Sequence, residues 1–305
     1  MDLIFLVHKC PPSALRRSFA ALSEAMGRGW DGNAILVENA PASPTSTAAR
    51  ALVRDCFPSA RRTLLRSPRN LGFGSGINLG MAEAKARLVG VFNPDGAVEP
   101  EAVGMLVDSL DRAPRALMAG PTVLPFAAEA GSPAAEPAAE PPATPVDWLP
   151  AVAAVYRRSA FLDLGGFDPL YFMYSEDSEL NQRARRSGYE LLRVSNAVFR
   201  HQHDWRRWKS FNRMRLFVVS STTWSYQHAP SRLAVLRLLA RRRAGWLVEL
   251  ARRRRLAQLT GAIVGTASWP ARIPRIERRR RHPWGRESLN GWLANASSRV
   301  ERLPL

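Results

Sequence analysis

Apolar residues fall in short runs separated by stretches with helical spacing. Leu3–His8 is the first run, and Pro11-Pro12 opens a helical pattern through Met26. Asn33–Val37 is the second, closing in Glu38-Asn39, with a helix to Phe57 and a third strand near Thr63–Arg66. Gly74–Ala86 is helical, Leu88–Phe92 reads as a fourth strand ending in the turn Asn93-Pro94-Asp95-Gly96, Pro100–Arg112 is helical, and Ala116–Ala119 is a fifth strand. Strands alternating with helices in this way predict βαβ units and a parallel sheet. Ligands of such sheets sit beyond the C-terminal strand ends. Here those ends carry His8-Lys9, Glu38-Asn39 and Asn93–Asp95.

The second half is less regular. Ala127–Pro145 is a low-complexity Ala/Pro/Glu stretch, too poor in apolar side chains to order itself, and reads as a mobile surface loop. Val146–Tyr156 is strand-like, Ser175–Ser187 is a polar helix, and Tyr189–Phe199 holds one or two short strands. From Trp205 onward only helical patterns with Arg clusters remain, and no internal repeat is visible.

Charge sharpens this division. The chain has 305 residues and a net charge of +18. Residues 1–200 carry 21 basic and 21 acidic side chains, whereas residues 201–305 carry 23 and 5. The pattern suggests a neutral catalytic or binding body with a cationic region that seeks an anionic surface. Two cysteines, Cys10 and Cys56, exclude a disulfide framework and a cysteine zinc site. The start MDLIFLV lacks a cationic region before its apolar stretch and reads as a strand, not a signal peptide. The uncharged runs Leu216–Ser231 and Leu256–Ala271 fall short of the roughly 20 apolar residues that a membrane span needs. The expectation is a cytoplasmic protein without a transmembrane helix.

Four segments could carry chemistry. Asp95 at a strand end suits a divalent cation that bridges phosphates, although Asn-Pro-Asp-Gly is also an ordinary turn sequence. In Arg69–Gly80 four glycines surround a helix start, either to bring backbone N–H groups near phosphate or to permit tight packing; the Gly-Lys-Ser/Thr ending of a P-loop is missing. Glu176, Asp177 and Glu179 crowd three carboxylates behind Tyr171, Phe172 and Tyr174, as an acidic helix cap or as a site. His201-Gln202-His203 follows a strand and reads as metal ligand or polar surface.

Together and in this order, ILVENAPAS, RNLGFGSGINLG, VFNPDGAVEP, the stretch VDWLPAVAAVYRRSAFLDLGGFDPLYFMYSEDSELNQRARRSGYE and AVFRH resemble the inverting family 2 glycosyltransferases. These have a GT-A fold, a Rossmann-like mixed sheet with flanking helices. The nearest branch is the bacterial rhamnosyltransferase-like and galactofuranosyltransferase-like one. The resemblance covers residues 2–205 and is most specific in GGFDPLYFMYSEDSELNQR. It implies a GT-A domain over 1–204, with the flexible loop 127–145, followed by a basic, amphipathic helical region over 205–305.

The resemblance also implies roles. Glu38, with Asn39, stands where the family has an Asp that contacts the nucleotide base, and Asn70, Gly72 and Asn78 line the nucleotide side of the cleft. Asn93 and Asp95 occupy the ends of the metal-binding D-x-D motif, with Asp95 and His201 as ligands of Mg²⁺ or Mn²⁺. Asp177 falls on the general base beside Glu176, and Asp147 and Trp148 face the acceptor or donor sugar. The sequence departs from the family pattern at Glu38, at the neutral Asn93, at Ala151 in place of Gly, and at Ser178-Glu179. The implied reaction neutralises a departing diphosphate with the cation while Asp177 takes the proton of the attacking hydroxyl, inverting the anomeric carbon. The donor is a nucleotide-diphosphate sugar, with dTDP-rhamnose, UDP-galactofuranose and UDP- or GDP-hexoses open. The acceptor is a glycan or a polyprenyl-linked one, in cell-surface polysaccharide synthesis.

Two other classes compete. The blocks Arg241–Arg243, Arg252–Arg255 and Arg278–Arg281 could bind nucleic acid, but no nucleic-acid fold motif accompanies them, so no such partner is expected. A degenerate transferase scaffold is opposed by the intact Asp95 and Asp177. Between Ser231 and Val264 Arg blocks alternate with apolar residues, and with Trp246 and Trp269 this suggests helices lying on the inner face of an anionic membrane. The bland alternative is helices packed on the catalytic domain with Arg in water.

Overall fold

The computed structural model describes residues 1–27, 29–40, 43–126, 143–202 and 210–303. Strands β1 (Asp2–Val7), β2 (Asn33–Glu38), β3 (Arg61–Arg66) and β4 (Leu88–Phe92) lie parallel in the order β3-β2-β1-β4. Helices α1 (Pro12–Met26), α2 (Pro44–Cys56) and α3 (Phe73–Glu83) connect them. Strand alternation sorts side chains between two cores. Leu3, Phe5, Val7, Ala34 and Leu36 join the cluster under α1 and α2, with Phe19 and Phe57 against Phe5. Ile4, Ile35 and Val37 face the opposite cluster, with Ile77 of α3 and the aromatic group Tyr156, Phe161 and Phe167. Apolar residues on both faces explain why these strands read as continuous runs.

Past β4 the sheet is mixed. Strands β5 (Gly96–Val98), β6 (Ala116–Pro125), β8 (Ala153–Arg157) and β9 (Glu190–His201) extend it as β4-β8-β6-β9-β5, with α4 (Ala102–Arg112), α5 (Arg158–Asp163) and α6 (Glu176–Arg186) between them and the short β7 (Thr144–Pro145) on β9. β8 is antiparallel to β4 and β6, and β5 to β9. The parallel sheet expected from periodicity thus holds for β1–β4 and for the β6–β9 pair, and antiparallel pairs join the two. Of the run Val146–Tyr156 only the part from Ala153 onward is strand. Tyr189–Phe199 belongs to one strand with an irregular register, Val194 opposite Pro121 and Val198 opposite Thr122. Most of the expected Ala/Pro/Glu loop, residues 127–142, lies outside the described residues.

The C-terminal helices are present and knitted into the domain. They are α7 (Phe211–His228), α8 (Arg232–Arg252), α9 (Leu256–Ser268), α10 (Ile273–Arg281), reached through the 3-10 turn Trp269–Arg272, and α11 (Arg286–Ser297). Met214, Val218, Leu250 and Ala262 form one small core; Tyr226, Trp269 and Ile276 form another. Trp269, expected at a membrane interface, is instead buried, with its indole N–H on Thr223 Oγ1 at 3.2 Å. The last strand, β10 (Glu301–Leu303), pairs antiparallel with β3 and completes the sheet edge. No helix among the described residues is long and apolar enough to cross a membrane.

The four glycines of Arg69–Gly80 serve packing. A Cβ on Gly74 would press on Phe167, on Gly76 on Leu6, and on Gly80 on Ile4. Gly72 caps α3 at φ 90°, and a Cβ there would overlap the Phe172 carbonyl. Gly72→Ala should therefore destabilise the protein by roughly 2 kcal/mol or more, since strain and backbone overlap add. Gly291→Ala, in open space within α11, should leave stability unchanged or raise it by about 0.5–1 kcal/mol. Denaturant midpoints of the two variants test this, and equal shifts would show that Gly72 is not held against Phe172.

Candidate active site

Antiparallel pairing brings the site together. Gly96 of β5 lies opposite His201 of β9, which carries Asp95 to the histidine. Asp95 Oδ1 and His201 Nε2 are 3.1 Å apart, with side chains 34% and 14% exposed, and the Gln202 N–H donates to the Asp95 carbonyl at 2.8 Å. The turn is real: the Gly96 N–H donates to Asn93 O at 3.2 Å, and the Asn93 N–H to Val152 O at 2.8 Å. Among the described residues no group of three His, Cys, Asp or Glu gathers in a metal-binding cluster. One carboxylate and one imidazole leave most of a coordination sphere open, the arrangement in which Mg²⁺ or Mn²⁺ shares its shell with phosphate oxygens. The two residues fit such an ion. His203 lies outside the described residues.

The second half of the site starts one residue from Val152. The buried Ala151 backbone favours the charged form of the Asp177 carboxylate, which accepts from the Ser178 N–H at 2.7 Å. Asp177 opens α6 behind a sharp turn, where Tyr174 and Ser175 both take left-handed conformations, φ 68° and 64°. Neither is glycine, so each costs on the order of 1–3 kcal/mol. Burial raises the carboxyl groups of both Asp177 and Glu176; for Glu176 the charge of Asp177 adds to this and brings it to about 8. Burial and the neighbouring charge thus both favour the neutral form of Glu176, whose buried Oε2 has no hydrogen-bond partner. The phenol of Tyr156, wholly buried nearby, is raised by burial and then by Asp177 and Glu176.

Trp148 stands beside Ser178, the residue after Asp177. Its indole N–H donates to Ser178 Oγ at 3.2 Å, and 47% of the residue is exposed. With Pro121, Val123, Leu149, Pro150 and Arg193 it lines an open groove of about 270 Å³. Asp147 is exposed and pairs with Arg185 at 2.8 Å.

The expected nucleotide side is built differently from the sequence reading. Glu38 ends β2 but is wholly buried, held by Arg50 at 2.6 and 2.8 Å and by Arg66 at 2.8 Å. Its carboxylate is occupied by these two cations, which the sequence reading missed. Arg66 lies directly opposite Glu38 in the β2–β3 register, which only the sheet reveals. Asn78 has no exposed surface, and its amide grips the backbone of Phe167 at 2.7 and 2.9 Å, fastening α3 to the loop before α6 rather than facing a ligand. Asn39 and Asn70 do meet at the strand ends. Asn39 donates to Asn70 Oδ1 at 3.1 Å and to Gly72 O at 2.8 Å, and Asn70 accepts from the Gly72 N–H at 2.8 Å. The Asn70 amide donates to His8 Nε2 at 3.1 Å, which requires that nitrogen to be unprotonated. Burial lowers His8, in keeping with a neutral ring. The strand-end rule had marked His8, but no partner for it was visible in the sequence.

The sequence model described as Glycosyl transferase family 2 matches residues 4–164. N-acetylglucosaminyl-diphospho-decaprenol L-rhamnosyltransferase of Mycobacterium tuberculosis (strain ATCC 25618 / H37Rv) is 29% identical over 231 residues, 63% of this chain and 72% of that protein. The mannosyltransferase PcManGT from Pyrobaculum calidifontis, in complex with GDP-Man and Mn²⁺, aligns with TM-score 0.56 at 11% identity, over 97% of this chain and 79% of its own. GalNAc-T7 with UDP, GalNAc and Mn²⁺ aligns with TM-score 0.55 at 12% identity, over 74% of this chain. The chain spans 49% of GalNAc-T7, about half its length. At such identities these structures share the fold alone. The family match covers the parallel half of the sheet and the Asn93–Asp95 turn and ends ahead of the acidic turn. Since it spans more than half of the residues, on a fold common to solved glycosyltransferases, the chain belongs to glycosyl transferase family 2.

Proposed function

We propose that this glycosyltransferase moves a sugar, rhamnose in first place, from a nucleotide-diphosphate donor to a hydroxyl of a polyprenyl-diphosphate-linked glycan, with inversion. One observation carries the reading. The Asn93–Asp95 turn is fastened to Val152, and the neighbouring residue Ala151 acts electrostatically on the Asp177 carboxylate, so one segment serves both groups. A leaving-group site and a base so close together suit direct displacement and require no protein nucleophile. The rhamnosyltransferase relative supports the choice of sugar and of a lipid-diphosphate acceptor. The Mn²⁺ in complex with two structural neighbours supports a divalent ion at Asp95 and His201. Such an ion neutralises charge on the departing diphosphate. Asp177 accepts the hydroxyl proton; its raised pKa strengthens it as a base, and Glu176, already protonated, adds no second charge. Trp148 offers a flat apolar face to the acceptor.

Outward-facing parts of α8 and α9 support contact with an anionic membrane surface, where a lipid-linked acceptor resides. Leu233, Leu236, Val248, Leu256, Ile263 and Val264 are exposed, among exposed Arg237, Arg241, Arg252, Arg254 and Arg255. Each Arg near such a surface contributes on the order of 1 kcal/mol.

Asp177→Asn should retain donor binding and lose turnover by about 10²-fold or more, because the amide cannot take the proton. In the wild type, the acid limb of kcat should lie above the ordinary carboxylate range, since the base must be ionised and its pKa is raised. Wild-type turnover by Asp177→Asn with dTDP-rhamnose would refute the assignment. For the metal, EDTA should abolish transfer and Mn²⁺ restore it, and Asp95→Ala should weaken donor binding as well as rate; full activity in EDTA would end this part of the reading. For the membrane, wild-type protein should pellet with anionic liposomes at low salt and less at high salt. Glu replacements of Arg237, Arg241 and Arg254 should reduce pelleting without altering donor hydrolysis. Equal pelleting by both proteins, or none by either, would remove the membrane from the reading.

A further inference from the structure

The loop 165–173 leads into the strained turn that aims Asp177, and the C-terminal helices grip it at five points. The Trp284 indole N–H donates to Gly165 O. Asp168 lies 2.8 Å from Arg279 Nε, and the guanidinium of Arg279 stacks over Trp284 at 4.6 Å. Arg272 donates to Leu170 O at 3.3 Å, the Tyr171 hydroxyl to Gln227 at 2.8 Å, and the Ser220 hydroxyl to Met173 O at 2.7 Å. On its other side the loop is held by α3, through Asn78 and through the Phe73 N–H on Phe172 O at 3.0 Å.

Consecutive left-handed residues without glycine persist only where their surroundings over-determine them. Here much of that restraint comes from the Arg-rich C-terminal region, whose sequence suggests a membrane-facing appendage, with packing on the catalytic domain as the alternative. Resting on the reading of Asp177 as the base, we infer that Arg279, paired with Asp168 and stacked on Trp284, is a positioning residue that sets the aim of Asp177 through the loop 165–173. Asp168 has no exposed side-chain surface, and its other oxygen accepts the Leu170 N–H at 2.9 Å. The Arg279 N–H is not aimed along a hydrogen bond to the carboxylate, so the contact is mainly charge against charge. A buried carboxylate without its cation must either take a proton or seek water. Both responses would move the loop, with the base a few residues downstream. Displacements of about 1 Å at a reacting group can lower rates by up to 10²-fold.

The test compares steady-state kinetics of Arg279→Met, Arg279→Lys and Asp177→Asn in the full chain, each with its thermal unfolding curve. Arg279→Met should lower kcat at least tenfold with donor KM within twofold, at temperatures where the variant is folded. Arg279→Lys, which keeps the charge, should recover a substantial part of kcat. Wild-type kcat in folded Arg279→Met, beside an inactive Asp177→Asn, would overturn the positioning role and leave the base assignment intact. Full turnover by Asp177→Asn would overturn the base assignment itself. If Arg279→Met does not fold, Trp284→Phe takes its place: it keeps a ring under Arg279 and removes only the bond to Gly165. It should lower kcat about threefold or more at unchanged donor KM, and an unchanged kcat would overturn the inference.

Discussion

Burying two adjacent carboxyl groups raises the free energy of a fold unless one of them stays neutral or a cation lies close. At the start of α6 Glu176 is buried and Asp177 beside it half-buried, and no basic side chain is hydrogen-bonded to either among the described residues. Backbone and side-chain donors stabilise Asp177, while Glu176 keeps its proton. The same placement requires the backbone to turn through two left-handed residues. That turn is held by glycine-dependent contacts with α3 on one side and by the C-terminal helices on the other. The cost of these two carboxyl groups at the head of α6 is thus distributed over residues far from them in sequence, from Gly72 to Trp284.

The positive charge of the last third divides into inward and outward groups. Arg279 faces the buried Asp168, and Arg280 donates to the Tyr226, Gln227 and Ala229 carbonyls at the end of α7. Arg243 reaches Thr222 Oγ1 at 2.8 Å and stacks on Trp246 at 5.3 Å. Arg278 and Arg281, within the same run as Arg279 and Arg280, line a shallow open pocket with His282. A run of four arginines therefore contains helix capping, a buried ion pair and solvated charge at once. Net charge alone does not distinguish them, because the distinction depends on which turn of α10 faces the core.

Much of the parallel half of the fold was legible in the sequence. Leu3–Val7, Asn33–Glu38 and Leu88–Phe92 are buried on both faces, so their apolar runs stand out whatever the tertiary context. The turn at Asn93 and the acidic start of α6 were legible for a similar reason, since local chemistry marks both. Glu38 shows the limit. Its type and position at a strand end were visible, but its partners Arg50 and Arg66 come from another helix and another strand. Asn78 shows the same limit: buried and exposed Asn look alike in a sequence, and only the Phe167 backbone settles which this one is. Trp269 fell in an amphipathic Arg-rich pattern, yet its indole found Thr223 on a neighbouring helix, a long-range partner that helical spacing does not specify.

The mixed half of the sheet is where the arrangement of the site depends on information that local patterns lack. Asp95 meets His201 only because β5 pairs with β9 in the register that sets Gly96 opposite His201. Ala151 and Val152 reach the site only because β8 runs antiparallel to β4, with Phe92 opposite Ala153. A one-residue slip in either pair would turn these groups to the other face of the sheet. The irregular register of β9 against β6, around residues 194–198, occurs between the core of the sheet and His201. It lets the strand keep Leu191 and Leu192 in the interior while its far end delivers the histidine to Asp95. A periodicity reading sees such a discontinuity as two short strands. In the folded chain it is one strand that changes register, and its far end sets His201 against Asp95.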